Sequence, residues 1–219
     1  MIYFVLLCGG KGTRTGLDTP KQYFEVANKP IFAYSIDKFN NINREKHLII
    51  AAEPEYFSIF KPYIDAKCTT FVKAGSCRQK TVYNALKSVK QINPEDIVII
   101  HDSARMFATD LLIENLIKEI ENGKNSAIPY KNLTSAVFSD KNNKYIDRND
   151  LKIIETPQAF NFYKLKVAYL RKKLDNFIDD GSIYFSKYHE INFIYNPDFN
   201  FKITSKEDLE EAERRIRWK

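Results

Sequence analysis

The arrangement of apolar residues along the chain is the feature that most limits its fold. Four short apolar runs are typical of strands buried in a parallel sheet: IYFVLLC (2–8), HLIIAA (47–52), TTFVKAG (69–75) and DIVIIHDSA (96–104). Helices with amphipathic spacing are predicted between and after these runs, over 30–40, 54–64, 77–91 and 109–122. Strands that alternate with helices predict an α/β domain with a mostly parallel central sheet.

The strand ends carry the residues suited to ligand binding. Right-handed crossovers place the carboxyl ends of parallel strands at one edge of the sheet, where ligands bind in such folds. Here those ends are the segments CGGKG, AG and HD, which are rich in glycine or polar. We therefore expect the binding site at this edge.

The rest of the chain departs from the alternation. Residues 131–150 surround an Asn-rich turn, DKNN, and are predicted to form a β-hairpin arm. A helix over 161–175, strands over 190–196 and 200–204, and a final helix from Ser205, with Asp208 as its capping acid, are also predicted. The chain has 219 residues and no internal repeat, so we expect one domain over 1–219, with the arm leaning on a second subunit.

Composition narrows the class of protein. No apolar run reaches the roughly 18–20 residues of a membrane helix, and no basic region precedes the first run, so a cytoplasmic protein is expected. Cys8, Cys68 and Cys77 form no CxxC pair, which predicts reduced cysteines and no zinc site. The net charge of +6 is compatible with nucleic-acid binding, but Lys and Arg are scattered among 28 acidic residues. A cleft that holds phosphates explains the positive charge better.

Glycines cluster directly after the first strand. Four of the seven glycines lie between positions 9 and 16, where backbone N–H groups can approach phosphate oxygens without obstruction. A Walker A loop is absent, and a dinucleotide GxGxxG beginning at Gly10 fails because Thr15 stands at its last position. The loop is thus of another kind, with Arg14 and Lys21 as its fixed positive charges.

Motifs along nearly the whole chain follow the order of one enzyme family. The segment GGKGTRTGLDTPKQYFEVANKPIFAYSI resembles the signature GxGxRM(x)nPKQ of the IspD/TarI family of cytidylyltransferases. GSCRQKTVYNAL, IIHDSAR and DRNDLKIIETPQAF resemble the family motifs GxxRxxSVxxGL, vHDaaRP and DRxxLwxxqTPQxF. DDGS, NFKIT and EDLEEAE resemble its closing motifs TDDas, NiKiT and DlxxAe.

The resemblance implies both architecture and chemistry. It implies a Rossmann-like (GT-A-like) nucleotidyltransferase fold, a homodimer formed through the hairpin arm, and Mg²⁺ as cofactor. From composition and charge, neither nucleic acid nor a membrane is expected as a partner. Family members use CTP to activate 2-C-methyl-D-erythritol 4-phosphate, for isoprenoid synthesis, or ribitol 5-phosphate, for a surface polymer such as capsule or teichoic acid. Both polyol phosphates remain open as the acceptor of this chain.

The family's functional residues can be carried over at matching positions. The catalytic residues implied are Arg14, Lys21 and Lys202. The nucleotide-binding residues implied are Cys8, Gly9, Gly10, Gly12, Gly75, Ser76, Thr81 and Asp102. The acceptor-binding residues implied are Asp102, Arg105, Thr134, Arg148 and Thr156, and Asp102 is also the implied Mg²⁺ ligand. Cations and a single carboxylate suit a phosphoryl-type transfer, which depends on positioning and charge neutralisation rather than on a protein nucleophile.

Several of these roles have structural alternatives. Asp102 could cap the helix that follows its strand, Lys202 could lie on a solvated strand face, and Arg148 could be an ordinary hairpin arginine. His101 is expected to be a structural hydrogen-bonding residue.

The chain departs from the family pattern around the acceptor. Met106 replaces the proline after HDaaR, Ile178 replaces the threonine before DD, and either Thr134 or Leu133 stands at a further threonine position. Within the segment HDSAR, Ser103 is nearer to the ribitol-phosphate branch of the family, whereas Ala104 is nearer to the methylerythritol branch. The reaction is therefore better supported than the acceptor, and a non-catalytic nucleotide-binding paralogue and a nucleic-acid binder are the alternative functions.

Overall fold

The computed structural model describes residues 1–10, 20–170 and 173–217. The strands are β1 (Ile2–Leu7), β2 (Glu25–Val26), β3 (Lys29–Pro30), β4 (Lys46–Ala52), β5 (Thr69–Lys73), β6 (Ile97–Asp102), β7 (Ser126–Asn132), β8 (Val137–Ser139), β9 (Lys144–Ile146), β10 (Lys152–Ile154), β11 (Gln158–Asn161) and β12 (Phe193–Tyr195). The α-helices are α1 (Ile31–Asn40), α2 (Phe57–Phe60), α3 (Arg78–Ser88), α4 (Asp110–Glu121), α5 (Phe162–Ala168), α6 (Asp180–Tyr188) and α7 (Lys206–Arg217).

Eight of the described strands form one sheet in the order β10-β7-β11-β6-β1-β4-β5, with β12 paired to β7. The strand β1 lies between β4 and β6 and is parallel to both, so that Leu7 is level with Ala51 on one side and Asp102 on the other. The strand β11 is antiparallel to both of its neighbours. The predicted, mostly parallel sheet is confirmed, and the parallel strands β1, β4, β5 and β6 end together at one edge.

Side chains of β1 alternate between two hydrophobic layers. Phe4 and Leu6 pack in the layer that includes residues of α1 and α4, whereas Val5 and Leu7 pack in the layer with α3, α5 and α6. Alternation follows from the two-residue period of a strand, and burial of each such side chain contributes about 1.5–3 kcal/mol relative to exposure. Helices therefore cover both faces of the sheet, as predicted.

The helices α6 and α7 each begin at a side-chain cap. The carboxylate of Asp179 accepts a hydrogen bond from the backbone N–H of Ser182 at 2.8 Å, and the Ser182 hydroxyl accepts from the N–H of Asp179 at 3.1 Å. This capping box fixes the first turn of α6. At α7 the carboxylate of Asp208 accepts from the N–H of Ser205 at 2.9 Å, so the predicted capping acid is confirmed.

Three features of the chain differ from the prediction. Residues 200–204 form no strand, because side chains of the cleft, rather than a neighbouring strand, bond to the carbonyls of Asn200 and Ile203. The helix predicted over 161–175 ends at Ala168, after which the chain turns and buries Tyr169. The strands β10 and β11 and the helix α6 lack a clear period in the sequence and were not predicted.

The hairpin arm lies outside the main sheet. Its strands β8 and β9 pair only with each other among the described strands, which confirms the predicted hairpin. Phe138 and Tyr145 face each other on the hairpin and are 47% and 76% exposed, so the arm carries an uncovered aromatic pair. Among the described helices, none has the length and apolar character needed to cross a membrane.

Candidate active site

A cleft with two lobes opens at the sheet edge where β1, β5 and β6 end. The first lobe has a volume of about 830 Å³ and is lined by the backbone after β1, the segment 73–78 and the end of β6. The second lobe, of about 680 Å³, lies beside it, and Arg78, Asp102 and Lys202 line both. The predicted convergence of strand ends is therefore present, and these three side chains stand where the lobes meet.

Asp102 is held between two cations. Nε of Arg78 donates to Oδ1 at 3.0 Å, and Nζ of Lys202 donates to Oδ2 at 2.6 Å. Burial alone would raise the pKa of this carboxyl, but Arg78 and Lys202 bring it well below its usual range. Asp102 does not cap the next helix, because α4 begins at Asp110 and is capped by the Thr109 hydroxyl.

Lys202 reaches the cleft from an irregular segment that several hydrogen bonds hold in place. The side-chain amide of Asn200 donates to the carbonyl of Thr156 at 2.9 Å, and the N–H of Ile203 donates to the carbonyl of Ala104 at 2.9 Å. These bonds tie the segment to the chain after β6. Lys202 therefore lies in the cleft, and the solvated strand face considered as its alternative does not exist.

Glycine is required at two positions of the first lobe. A Cβ atom on Gly9 would come within 2.4 Å of the Cβ of Ala74, and one on Gly75 would come within 2.7 Å of the backbone N of Thr81. At Gly10 an added Cβ would meet nothing within 4 Å. Close backbone packing thus excludes side chains from these two positions, and both glycines line the lobe.

The hydroxyl of Thr81 is engaged within the protein. It accepts from the N–H of Gly75 at 2.9 Å and donates to the carbonyl of Cys77 at 3.0 Å. Thr81 therefore fixes the turn that carries Gly75 and Ser76, both of which line the first lobe. Direct contact between this hydroxyl and a nucleobase remains a prediction.

The start of the glycine loop is fixed by Gln22, a residue that the sequence interpretation did not single out. Its side-chain amide donates to the carbonyls of Cys8 at 2.6 Å and Gly10 at 2.8 Å. Cys8 itself is buried, and burial raises the pKa of its thiol to about 12. Nζ of Lys21 lines the first lobe and donates to the carbonyl of Ile203 at 2.5 Å.

Arg105 and Thr156 line the second lobe. Arg105 donates to the carbonyl of Asn200 at 2.7 Å and lies 3.7 Å from the buried carboxylate of Glu155, and burial lowers the pKa of its guanidinium. The hydroxyl of Thr156 accepts from the N–H of Asp102 at 3.1 Å and lies 3.3 Å from Nδ1 of His101. Thr156 therefore supports Asp102 directly.

His101 has a structural environment, as expected. Its ring is buried, and burial lowers the pKa of the imidazole to about 4. The ring packs edge-on against Phe4. A neutral, enclosed imidazole of this kind supports the end of β6 rather than facing a substrate.

Some predicted site residues lie elsewhere. Arg148 and Thr134 are in the hairpin arm, where a guanidinium N–H of Arg148 donates to the carbonyl of Thr134 at 2.5 Å, and neither lines the cleft of its own chain. Gly12 and Arg14 lie outside the described residues, so their predicted roles stay predictions. Of the other departures from the family pattern, Ile178 is 88% exposed at the second lobe, whereas Met106 is buried in a hydrophobic cluster with Val26 and Ile31.

The cleft offers few protein ligands for a divalent cation. Among the described residues, no group of three or more His, Cys, Asp or Glu side chains could hold a metal ion. Both oxygens of Asp102 already face cations. This arrangement fits Mg²⁺ that is bound mainly by substrate phosphates and water, with one carboxylate oxygen from the protein.

Arg78 is the most central residue that the sequence interpretation left without a role. It is the arginine of the GSCRQKTVYNAL motif and the first residue of α3, and it lines both lobes. Its place in this motif could have indicated that Arg78 belongs to the site. Its partner Asp180 could not be recognised as such, because 102 positions of the chain separate the two residues.

Comparison with known proteins gives a consistent result across the chain. The sequence profile of the family described as IspD, 2-C-methyl-D-erythritol 4-phosphate cytidylyltransferase, matches residues 2–217. The enzyme of that name from Petrotoga mobilis is 33% identical over 219 residues, which cover 97% of this chain and 96% of that protein. The enzyme from Thermosipho africanus is 33% identical over 221 residues, which cover 95% of each.

Solved structures share the fold. The 4-diphosphocytidyl-2C-methyl-D-erythritol synthase of Anaerococcus prevotii superposes with a TM-score of 0.83 at 20% identity, covering 99% of this chain and 96% of that one. The 2-C-methyl-D-erythritol 4-phosphate cytidylyltransferase of Francisella tularensis gives 0.81 at 23% identity, covering 97% and 98%. The architecture, with its mostly parallel sheet, is that of the nucleotidyltransferases.

Proposed function

Since this chain belongs to the IspD family of cytidylyltransferases, we propose that it transfers CMP from CTP to 2-C-methyl-D-erythritol 4-phosphate. The observation that carries the proposal is the position of Asp102 and Lys202 at the junction of the two lobes. A nucleotide in the first lobe and a phosphorylated polyol in the second would meet at this pair.

The transfer is a substitution at the α-phosphorus of CTP. An oxygen of the acceptor's phosphate forms the new bond to that phosphorus, and the bond to the β-phosphate breaks, so that pyrophosphate leaves with the electron pair. Catalysis of this kind depends on holding the two phosphates in line and on neutralising the charge that develops on their oxygens. Lys21 and Lys202 supply positive charge from the described part of the cleft, and Arg14 is expected to supply more.

Mg²⁺ enters the proposal as an ion carried by the nucleotide. When bound to the triphosphate, it would neutralise charge on the leaving pyrophosphate. Asp102 is the residue placed to offer it a carboxylate oxygen. Lys202 then has to move from Asp102 toward a substrate phosphate, which the open cleft permits.

The lining of the second lobe favours the methyl-branched acceptor. The lining of this lobe includes the apolar side chains of Ile154, Ile178, Phe185 and Phe193 as well as Arg105. A C-methyl group can pack against such a surface, whereas a straight pentitol would place hydroxyl groups there without hydrogen-bond partners. The serine of HDSAR does not favour ribitol phosphate, because the Ser103 hydroxyl donates to the carbonyl of Leu7 at 2.7 Å.

The proposal includes a homodimer formed through the hairpin arm. The arm exposes an aromatic pair and carries Arg148 away from the cleft of its own chain. If Arg148 binds the acceptor, as the resemblance implies, it acts on the cleft of a second subunit. The site would then be completed by the partner chain.

An assay of pyrophosphate release tests the function. The protein is incubated with Mg²⁺, each of CTP, UTP, ATP and GTP, and each of 2-C-methyl-D-erythritol 4-phosphate, erythritol 4-phosphate and ribitol 5-phosphate. We expect the fastest release with CTP and the methyl-branched acceptor, and slower release with erythritol 4-phosphate, which lacks only the methyl group. Faster release with ribitol 5-phosphate would assign the other acceptor, and CTP binding without release would indicate a non-catalytic paralogue.

A further inference from the structure

A chain of four polar side chains runs from the core of the protein to the cleft. The hydroxyl of Tyr169 donates to Oδ1 of Asp180, and Nη2 of Arg78 donates to Oδ2 of the same carboxylate at 2.8 Å. Nε of Arg78 then donates to Oδ1 of Asp102 at 3.0 Å. These residues come from the end of α5, the start of α6, the start of α3 and the end of β6, so the chain joins four elements at one point.

Asp180 is enclosed in the protein at the first turn of α6. It is 0% exposed, and Tyr169 beside it is 1% exposed. Neither lobe of the cleft is lined by Asp180, although Asp179 and Gly181 on either side of it line the second lobe. A carboxylate removed from water in this way is costly unless it is paired and hydrogen-bonded, and hydrophobic residues of similar size would stabilise the fold at least as well.

The two oxygens of Asp102 are held in unequal ways. The partner of Oδ1, Arg78, is itself fixed by buried Asp180. The partner of Oδ2, Lys202, is 38% exposed and lies on a segment without regular secondary structure. One contact can therefore be exchanged for a substrate phosphate, whereas the other is anchored in the core.

We propose that Asp180, acting through Arg78, is a positioning residue that holds the carboxylate of Asp102 in place while Lys202 moves to substrate. With Arg78 anchored at two points, the carboxylate keeps its orientation and one counter-ion after the lysine has left. An arginine suits this position because its planar fork can bond to two carboxylates at once, which a lysine ammonium does with less geometric control. The proposal rests on the role of Asp102 and Lys202 in the proposed reaction.

The substitution Asp180→Asn tests the proposal with little change in shape. The amide retains the volume of the carboxylate and a hydrogen bond to Tyr169, but it no longer anchors Arg78 by charge. Since misplacement of a reacting group by about 1 Å can lower a rate about 100-fold, we expect kcat to fall about 10- to 100-fold. The KM for CTP should change less than kcat, because Asp180 itself lines neither lobe and the glycine-rich backbone of the first lobe is unaltered.

Three further single variants and one double variant separate positioning from stability. Tyr169→Phe removes only the hydroxyl that donates to Asp180, at the buried end of the four hydrogen-bonded side chains. It should also lower kcat, but by less than Asp180→Asn does. Arg78→Lys keeps the charge and should lose activity as Asp180→Asn does, with the double variant little worse than either single one, because residues that act as a unit are not additive. The control Arg44→Lys alters an arginine that is likewise held by two carboxylates, Glu114 and Glu121, but lies outside both lobes, and it should leave kcat unchanged.

The results can overturn the proposal. Rates are expressed per molecule that is folded and binds CTP, and thermal unfolding is measured for each variant. A folded Asp180→Asn protein with wild-type kcat would refute the positioning role, as would additive effects in the double variant. Failure of the reaction itself is distinguishable, since the wild-type protein would then release no pyrophosphate with any acceptor.

Discussion

The ammonium of Lys202 lies 2.6 Å from Oδ2 of Asp102, although 100 positions of the chain separate the two residues. The contact joins an irregular segment near the end of the chain to the last residue of a central strand. It neutralises the lysine in the absence of substrate and places it where the two lobes of the cleft meet. Under the proposed function, we expect a substrate phosphate to compete with Asp102 for this lysine.

Replacement of Lys202 should affect the reaction far more than the fold. Since a removed charge-stabilising donor commonly lowers kcat about 100- to 1000-fold, we expect a loss of this size for Lys202→Met, with thermal unfolding close to that of the wild type. Steady-state pyrophosphate release measures kcat. The control Lys38→Met breaks a Lys–Asp pair of 3.4 Å outside the cleft and should be fully active; near-normal turnover in Lys202→Met would refute the role.

Lys21 should be as important for turnover as Lys202, because it also supplies positive charge to the cleft. Its ammonium lines the first lobe and donates to the carbonyl of Ile203, next to Lys202. Lys21→Ala is expected to lower kcat by about 100-fold or more while the protein remains folded by circular dichroism. A rate within a factor of about three of the wild type would exclude Lys21 from the clamp on the reacting phosphates.

Arg148 should act on the acceptor from the partner's side of a dimer. We expect Arg148→Ala to raise the KM for the acceptor more than the KM for CTP, because the arm is distant from the first lobe. Hybrid dimers of one Arg148→Ala chain and one Lys202→Met chain should regain activity above that of either parent, since one of their two clefts would be intact. Equal effects on both KM values, or no recovery on mixing, would contradict the arrangement.

The cysteines offer a chemical test of where the nucleotide binds. Cys8 is buried with its thiol pKa raised to about 12, so iodoacetamide should leave it unmodified in the folded protein. Cys77 lines the first lobe, and CTP should slow its alkylation. Cys68 lies before β5, outside both lobes, and serves as the internal control, because its alkylation should not respond to CTP. Mass spectrometry of the modified peptides gives the three rates; protection of Cys68 and Cys77 alike would count against the site.

Stability should fall as the solution becomes mildly acidic. Burial lowers the pKa of His101 from 6.5 to about 4, so the unfolded chain binds a proton more readily than the folded protein between these values. The free energy of unfolding should therefore decrease as the pH falls through this window, by at most about 3 kcal/mol. Urea titrations at pH 7.5 and 5 should show a smaller decrease for His101→Gln, and an equal decrease would assign the effect to other groups.

The alternation of apolar runs and helical patterns sufficed to predict the helices and the main-sheet strands of the first 121 residues to within a few positions, but not the two-residue strands β2 and β3. These elements are long and strongly periodic, so local sequence determines them. The segments 152–154, 158–161 and 200–204 were missed or misassigned for a different reason. They are short, and what decides their conformation is whether a neighbouring strand or a side chain of the cleft bonds to their backbone.

The sequence by itself predicted most of the long elements, the sheet edge at which the candidate site lies and, through its motifs, the candidate residues of the reaction. Only the tertiary structure decided which of those residues meet. It joins Lys202 and Asp102, ties Arg78 to buried Asp180, and leaves Arg148 on an arm away from its own cleft. Periodicity records which face of an element is buried, whereas contacts between distant side chains depend on how several elements pack together, and no local pattern encodes that packing.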